Sequence, residues 1–265
     1  MAEIKCIGIL TSGGDAPGMN AAIRAVTRAA IFAGMKVKGI YRGYRGLLTN
    51  EIVDFKTQNV SNIIQMGGTI LKTARCKEFQ TVEGRQKAYE TLRSHEIDAL
   101  VVIGGDGSLT GARIFANEFN LPIIGLPGTI DNDISCTDYT IGFDTAMNTA
   151  VEMIDKIRDT SQSHERCTVC EVMGRNCGDI ALHTGIAVGA SVILVPEVEC
   201  SFETIITKIN AGQRSGKKHF IIVVAEGVGG VEELAKRIQE ATGIETRASI
   251  LGHVQRGGNP TTRDR

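Results

Sequence analysis

Short apolar runs of strand length alternate with stretches in which apolar residues recur every three or four positions, from one end of the 265-residue chain to the other. The runs at 6–10, 36–40, 99–103, 122–126, 168–172, 192–195, 219–225 and 246–251 read as strands. Between them, 16–33, 85–95, the stretch after Ser108, 145–160, 179–188, 202–211 and 231–242 carry the helical period. Such alternation predicts an α/β fold of mainly parallel sheets with helices on both faces. The segment 138–143 interrupts the rhythm and reads as a crossover. Two doubly wound lobes are therefore expected, at 1–141 and 142–252, with 253–265 starting a return to the first and the ligand site in the cleft between them.

Composition narrows the function classes. Twenty-nine basic and thirty acidic side chains leave a net charge of −1, without the basic excess of a nucleic-acid protein. No apolar run reaches the roughly 20 residues of a membrane span. The opening Met1-Ala2-Glu3-Ile4-Lys5 leads into a strand pattern and carries no signal-peptide core. Seven cysteines, most in or beside strand patterns, fit free thiols in a reducing cytoplasm. Cys167 and Cys170 form a CxxC, but no second pair stands at zinc-site spacing.

The unusual residues gather in one kind of place. Segments 11–15, 104–108, 127–133, 173–175, 226–230 and 252–258 all follow predicted strands, and ligands of open parallel sheets bind at that carboxyl edge. Gly104-Gly105-Asp106-Gly107-Ser108 sets a carboxylate in a glycine turn, where backbone can approach phosphate and the acid can hold Mg²⁺. Pro127-Gly128-Thr129-Ile130-Asp131-Asn132-Asp133 adds two acids and a hydroxyl. Thr11-Ser12-Gly13-Gly14-Asp15 offers free N–H groups at a helix start. Acids, bare N–H groups and little bulk suit phosphoryl transfer, which is mostly positioning and charge neutralisation.

Each feature has a plainer reading. Asp106 and Ser108 are good helix caps, Asp131 and Asp133 could serve only a turn, and Glu226 could cap the bend that follows it. Arg75, Arg166, Arg175, Arg247, His253 and Arg256 form a cationic set in which any one member could be a solvated charge. A second basic group, Arg24 and Arg28 on one helix face with Lys217-Lys218-His219 before a strand, lies away from the carboxyl edge. The P-loop pattern is absent: Gly212 to Lys217 has the wrong spacing and precedes a strand.

These motifs, spread from Ile4 to Arg265, resemble the bacterial ATP-dependent 6-phosphofructokinases. The match is carried by Leu10 to Asn20, Ile103 to Ser108, Pro127 to Asp133, Val172 to Arg175 and Leu251 to Gly258. The resemblance implies ATP and fructose 6-phosphate as substrates, Mg²⁺ as cofactor, and a homotetramer whose active sites are completed across a subunit interface. Asp131 would be the base for the sugar's 1-hydroxyl, with Gly14, Thr129 and Arg175 stabilising the moving phosphoryl group. Arg75, Cys76, Gly105, Asp106, Gly107 and Ser108 would hold ATP, and Asp106 with Asp133 the metal. Ile130, Met173, Gly174, Glu226, His253, Val254, Gln255 and Arg256 would bind the sugar phosphate, joined by Arg166 and Arg247 from a neighbouring subunit.

The phosphoryl donor can also be argued. Diphosphate-dependent relatives carry Asp at the position of Gly107 and Lys at that of Gly128, so glycine at both favours ATP. Arg24, Arg28, Arg158, Lys217, Lys218 and His219 match the family's pocket for an ADP or phosphoenolpyruvate effector. Three positions depart from that pattern: Thr57-Gln58 stands where many members carry Arg-Tyr, and Ser191 replaces an acid. Cys76 and Gln80 replace an aromatic and an Arg beside the nucleotide. Family members usually run several dozen residues further, leaving an inactive or regulatory subunit on the same scaffold as an alternative. A Gly-Gly-Asp-Gly turn also occurs in lipid and NAD kinases, which do not explain 127–133 or 251–258.

Overall fold

A computed structural model describes residues 4–135 and 137–265. The chain divides into two compact units. One comprises the chain up to Ile130 with Ile134–Gly142 and Gly258–Arg265; the other comprises Asp131–Asp133 and Phe143–Gly257. The second unit thus takes Asp131–Asp133 out of the first, and the return begins at Gly258 rather than 253.

In the first unit, β1 (Cys6–Ser12), α1 (Met19–Phe32), β2 (Lys36–Ile40), α2 (Tyr44–Leu48), β3 (Ile52–Phe55), α3 (Val82–Ser94), β4 (Ala99–Gly104), α4 (Asp106–Phe119), β5 (Ile123–Thr129) and β6 (Ile141–Gly142) follow in order. The strands form one sheet, β3-β2-β1-β4-β5-β6, parallel except for the antiparallel edge strand β3. Alternation within each strand builds the two faces. Cys6, Leu10, Leu100 and Val102 pack with Tyr44, Leu47, Leu92 and Phe115 from α2, α3 and α4. A five-ring aromatic chain, Tyr44–Phe79–Phe115–Phe119–Tyr89, runs through this layer, its first pair stacked at 3.9 Å.

Several boundaries differ from the sequence expectation. α1 starts at Met19, not 16, because Pro17 keeps Ala16 out of the helical region and Gly18 adopts φ +105°. Pro127, Gly128 and Thr129 are strand, so the acid-bearing loop begins only at Ile130. The 138–143 segment contains β6, paired parallel to β5. α2 and β3 escaped the pattern reading because each spans five residues or fewer, too short for a period to show.

In the second unit, α5 (Phe143–Ser163), β7 (Cys167–Val172), α6 (Asp179–Ala187), β8 (Val192–Leu194), α7 (Phe202–Arg214), β9 (Phe220–Ala225), α8 (Val231–Thr242) and β10 (Thr246–Ile250) form a parallel four-stranded sheet in the order β10-β7-β9-β8. Cys167, Val169, Phe220, Ile222 and Val224 pack against Ile205, Ile209, Ala235 and Ile238 of α7 and α8. Thr168, Cys170, Val172, Ile221 and Val223 are buried on the opposite face. The CxxC therefore splits across the strand, since residues three apart point to opposite sides.

Candidate active site

The first unit builds a backbone site where its strand order reverses. β2 lies on one side of β1 and β4 on the other, so the ends of β1 and β4 meet at the switch point where such sheets bind ligands. Only glycine fits there. A Cβ on Gly104 would lie 2.5 Å from the Ser12 carbonyl, and Gly13 (φ +85°) sits with its Cβ position 3.0 Å from Ser108 Oγ. The 13–14 turn is thereby brought against the first turn of α4. Gly105 is the N-cap of α4 and no side chain caps it, so the leading N–H groups are left for a ligand. Asp106 is the first helical residue, exposed, and does not act as a cap.

Buried hydrogen bonds hold this turn from behind. Asn20, 1% exposed, donates through Nδ2 to the carbonyls of Met66 and Gly67, each at 3.1 Å, and accepts from the Ile70 N–H at 2.7 Å. The loop so pinned reaches the glycine turn. Thr11 Oγ1 donates to the Lys72 carbonyl at 2.9 Å and lies 2.9 Å from Thr69 Oγ1, while Thr73 Oγ1 donates to the Gly13 carbonyl at 2.6 Å. Tyr44 Oη donates to the Ser108 carbonyl at 2.7 Å, and burial raises its hydroxyl far above the usual phenol range, keeping it a donor. Pattern reading missed Thr73 and Tyr44, and it set Asn20 only on the helix face of Arg24 and Arg28, one turn earlier, whereas its amide is spent on the 66–70 backbone.

The remaining residues expected on this unit fall into place individually. Arg75 and Gly14 are exposed, and Cys76 packs its side chain partly onto the aromatic layer. Thr129 ends β5 beside Gly105, its Cβ 3.5 Å from the Gly105 Cβ position. Ile130 is 5% exposed and Ser108 8%, so their side chains are packing groups. The Cβ position of Gly107 has no neighbour within 4 Å, whereas that of Gly128 is 3.0 Å from Ile103 Cγ2 and 3.1 Å from Met19 Cε.

The second unit assembles acids and guanidinium groups. Asp131 is 7% exposed, with Arg175 Nε 3.4 Å from its Oδ2. Burial raises the Asp131 carboxyl above the usual range, opposed by Arg175, reinforced by Asp133 and Glu226, and opposed again by Arg256. Arg175 sits at φ +51°, and its N–H donates to Glu226 Oε2 at 3.1 Å. Asn132, also left-handed at φ +54°, donates to Asp179 Oδ2 at 2.7 Å. Burial, then Glu226, also raises Glu171. His253 and Val254 are exposed on the 3-10 segment Gly252–Arg256, with Arg256 half-buried.

Three expectations need correction or division. Gln255 is completely buried, so its side chain is no ligand contact; its Oε1 accepts the Met173 N–H at 2.8 Å. Gly174 (φ +139°) is likewise buried, with its Cβ position 2.7 Å from the Cys177 carbonyl. Arg166 and Arg247 lie at the amino edge of the second sheet, opposite from 173–175, and share Glu245: Arg166 Nε at 2.8 Å and Arg247 Nη2 at 2.6 Å. One chain does not bring them to Arg175.

The second basic group also divides between the units. In the first, Arg24 Nη1 donates to the Val60 carbonyl at 2.7 Å, tying down Thr57–Val60, and Arg28 is exposed. In the second, a hollow of about 370 Å³ is lined by Gln162, Glu165, Gly216, Lys217, Lys218 and His219. Lys217 Nζ donates to Ser191 Oγ at 2.8 Å, Lys218 pairs with Glu165 at 2.7 Å, and Arg158 donates to the Val188 carbonyl. Burial, then Arg158, lowers Lys217, and burial, then Lys217, lowers His219.

A family model described as phosphofructokinase matches residues 6–265. The chain is 61% identical over its full length to "ATP-dependent 6-phosphofructokinase 2" of Bacteroides thetaiotaomicron, spanning 82% of that protein. It is 60% identical over 99% of its length to "ATP-dependent 6-phosphofructokinase" of Thermoanaerobacter sp., again spanning 82%. Among solved structures, Pichia pastoris phosphofructokinase in the T-state superposes with a TM-score of 0.94 at 43% identity, covering all of this chain and 31% of its own.

Proposed function

The chain belongs to the phosphofructokinase family, and on that premise we propose that it transfers the γ-phosphoryl group of ATP to the 1-hydroxyl of fructose 6-phosphate, giving fructose 1,6-bisphosphate and ADP in glycolysis. The observation that carries the reading is the buried Asp131 carboxylate, raised by its surroundings yet held by Arg175 at 3.4 Å. A carboxylate with elevated proton affinity is the general base that a neutral hydroxyl needs, and its neighbouring guanidinium balances charge on the moving phosphoryl group. Relatives near 60% identity over the whole chain, both named ATP-dependent 6-phosphofructokinase, support the same donor and acceptor.

Each residue takes a role its geometry allows. The uncapped N–H groups at Gly105–Gly107 and the Gly13–Gly14 turn receive phosphate oxygens. Thr129 and Arg175 hold the transferring group, and Asp131 accepts the proton as the sugar oxygen attacks phosphorus and ADP leaves. Arg256 and His253 hold the sugar phosphate, with Glu226 accepting a sugar hydroxyl. Mg²⁺ fits the donor set, because Asp106 is an exposed hard carboxylate at the phosphate turn. Such a site suits a cation carried on the nucleotide's phosphates and held by one or two carboxylates, Asp106 and Asp133. When bound, it supplies charge neutralisation.

Glycine at 107 and 128 favours ATP over diphosphate, because the open space beside Gly107 leaves room for the rest of a nucleotide. We further propose a homotetramer in which Arg166 and Arg247 serve a neighbouring subunit's sugar phosphate, and an effector phosphate in the Lys217–Lys218 hollow. A cytoplasmic setting belongs to the same proposal; among the described residues no helix is long and apolar enough to cross a membrane. The test is an aldolase-coupled assay of the purified chain with fructose 6-phosphate and either ATP or diphosphate. Turnover with ATP alone is expected; turnover with diphosphate alone, or with neither donor, refutes the proposal.

A further inference from the structure

The hydrogen-bond parity of β7 gives Gln255 a role that no ligand contact explains. Odd-numbered residues of this strand face β10 and even-numbered ones face β9: Cys167 N–H donates to the Glu245 carbonyl and Leu251 N–H to that of Glu171, whereas Phe220 and Glu226 donate to Arg166 and Val172. Met173 is therefore the next residue whose N–H points to the β10 side. By that level β10 has ended at Ile250 and the chain has turned into the 3-10 segment Gly252–Arg256. From that segment the Gln255 side chain, 0% exposed, places Oε1 2.8 Å from the Met173 N.

We propose that Gln255 is a positioning residue, its side-chain carbonyl standing in for the missing strand carbonyl and adding one rung to the sheet. The bond fixes where Met173-Gly174-Arg175 leaves β7. Two residues on, the Arg175 N–H is held on the other side by Glu226 at 3.1 Å. The exit turn is thus pinned from both flanks, and Gln255 couples it to the segment carrying His253 and Arg256. The donor bond also settles the amide's orientation, since the reverse would face N–H with NH₂. Its Nε2 is then buried with no hydrogen-bond partner among the described residues. The oxygen is thus the half of the amide that the fold uses.

The inference rests on the proposed roles of Arg175 at the transferring group and of His253 and Arg256 at the sugar phosphate, and its test separates the two. Amide exchange at Met173, followed by NMR without substrates, is expected to be slow in the wild-type chain. In Gln255→Met, which keeps the volume but loses the acceptor, it should be at least tenfold faster, while Ile221 to Ala225 stay unchanged. In steady-state assays Gln255→Met should raise KM for fructose 6-phosphate about tenfold, the scale of one lost buried hydrogen bond, with KM for ATP within twofold. Gln255→Glu, which restores an acceptor oxygen, should recover most of that loss. Unchanged Met173 exchange in Gln255→Met, parallel rises in both KM values, or failure of Gln255→Glu to improve on Gln255→Met overturns the proposal. Should Gln255→Met not fold, a fast Met173 amide in the wild type overturns it and a slow one supports it. A wild-type chain with no kinase activity would defeat the functional reading while leaving the exchange result decisive.

Discussion

Replacing Asp131 by Asn separates catalysis from stability, because the site's chemistry opposes the fold's preference. The substitution keeps shape and volume in a position only 7% exposed, so packing is preserved. It removes the charge facing Arg175 at 3.4 Å, but that guanidinium side chain is 68% exposed and its attraction is heavily screened by water. Burial is the leading influence on Asp131 and raises its proton affinity from the ordinary 3.8, so the folded state disfavours the charged form. A carboxyl raised on folding contributes stability below its unfolded value and loses it as pH climbs through the folded value. Above the folded value the wild-type chain has lost that contribution, and the neutral amide of the variant carries no such penalty. The melting temperature of Asp131→Asn should equal or exceed that of wild type. Loss of the general base should nevertheless lower kcat by about 10²–10⁴, or roughly 3–5 kcal/mol of barrier. The coupled assay at saturating ATP and fructose 6-phosphate, beside a thermal melt at the same pH, reads both. A kcat within tenfold of wild type refutes the base assignment, and a lowered melting temperature refutes the electrostatic reasoning. The pH profile adds a check of sign: activity falls as pH drops and Asp131 takes up its proton, and Arg175→Ala, which removes an opposing pull, should shift that acid limb to higher pH.

Other perturbations follow from the same geometry. Gly107→Asp enters open space and should change stability by no more than about 0.5 kcal/mol while raising KM for ATP; Gly128→Lys, whose Cβ would lie 3.0 Å from Ile103 and 3.1 Å from Met19, should cost about 1–3 kcal/mol in a denaturant titration. Equal stability losses would contradict the packing argument. Asn20→Ala deletes three buried hydrogen bonds to the 66–70 loop and should destabilise by about 2–4 kcal/mol, seen as a fall in melting temperature of roughly 5–15 °C. A shift under about 2 °C would show that the loop does not depend on that amide. Inorganic phosphate should raise the melting temperature of the wild-type chain, and Lys217→Ala, which leaves the active site untouched, should diminish the rise; an undiminished shift would move the effector phosphate elsewhere.

The alternation of apolar strands and periodic helices made both sheets legible in advance, because a parallel strand covered on both faces is apolar along most of its length. The same pattern could not show β3, whose four residues include the exposed Asp54, nor that Pro127-Gly128-Thr129 continues β5, since Pro and Gly read locally as a turn. Asp106 and Asp131 were visible as acids after strands. That one heads a helix without capping it, and that the other is buried against Arg175, was not.

Which residue types occur, and at which strand ends, is a property of the covalent chain: glycine at 13, 104 and 105, acids at 106, 131 and 133, and basic residues at 175, 253 and 256 are written in order along it. What each side chain does was decided only by folding. Gln255 and Asn20 look like polar surface or ligand residues in a linear reading, yet both are buried and spend their amides on backbone 46 to 82 residues away. The physical reason is that strand periodicity records which face a residue points to, whereas the partner of a hydrogen bond depends on where a distant strand happens to stop.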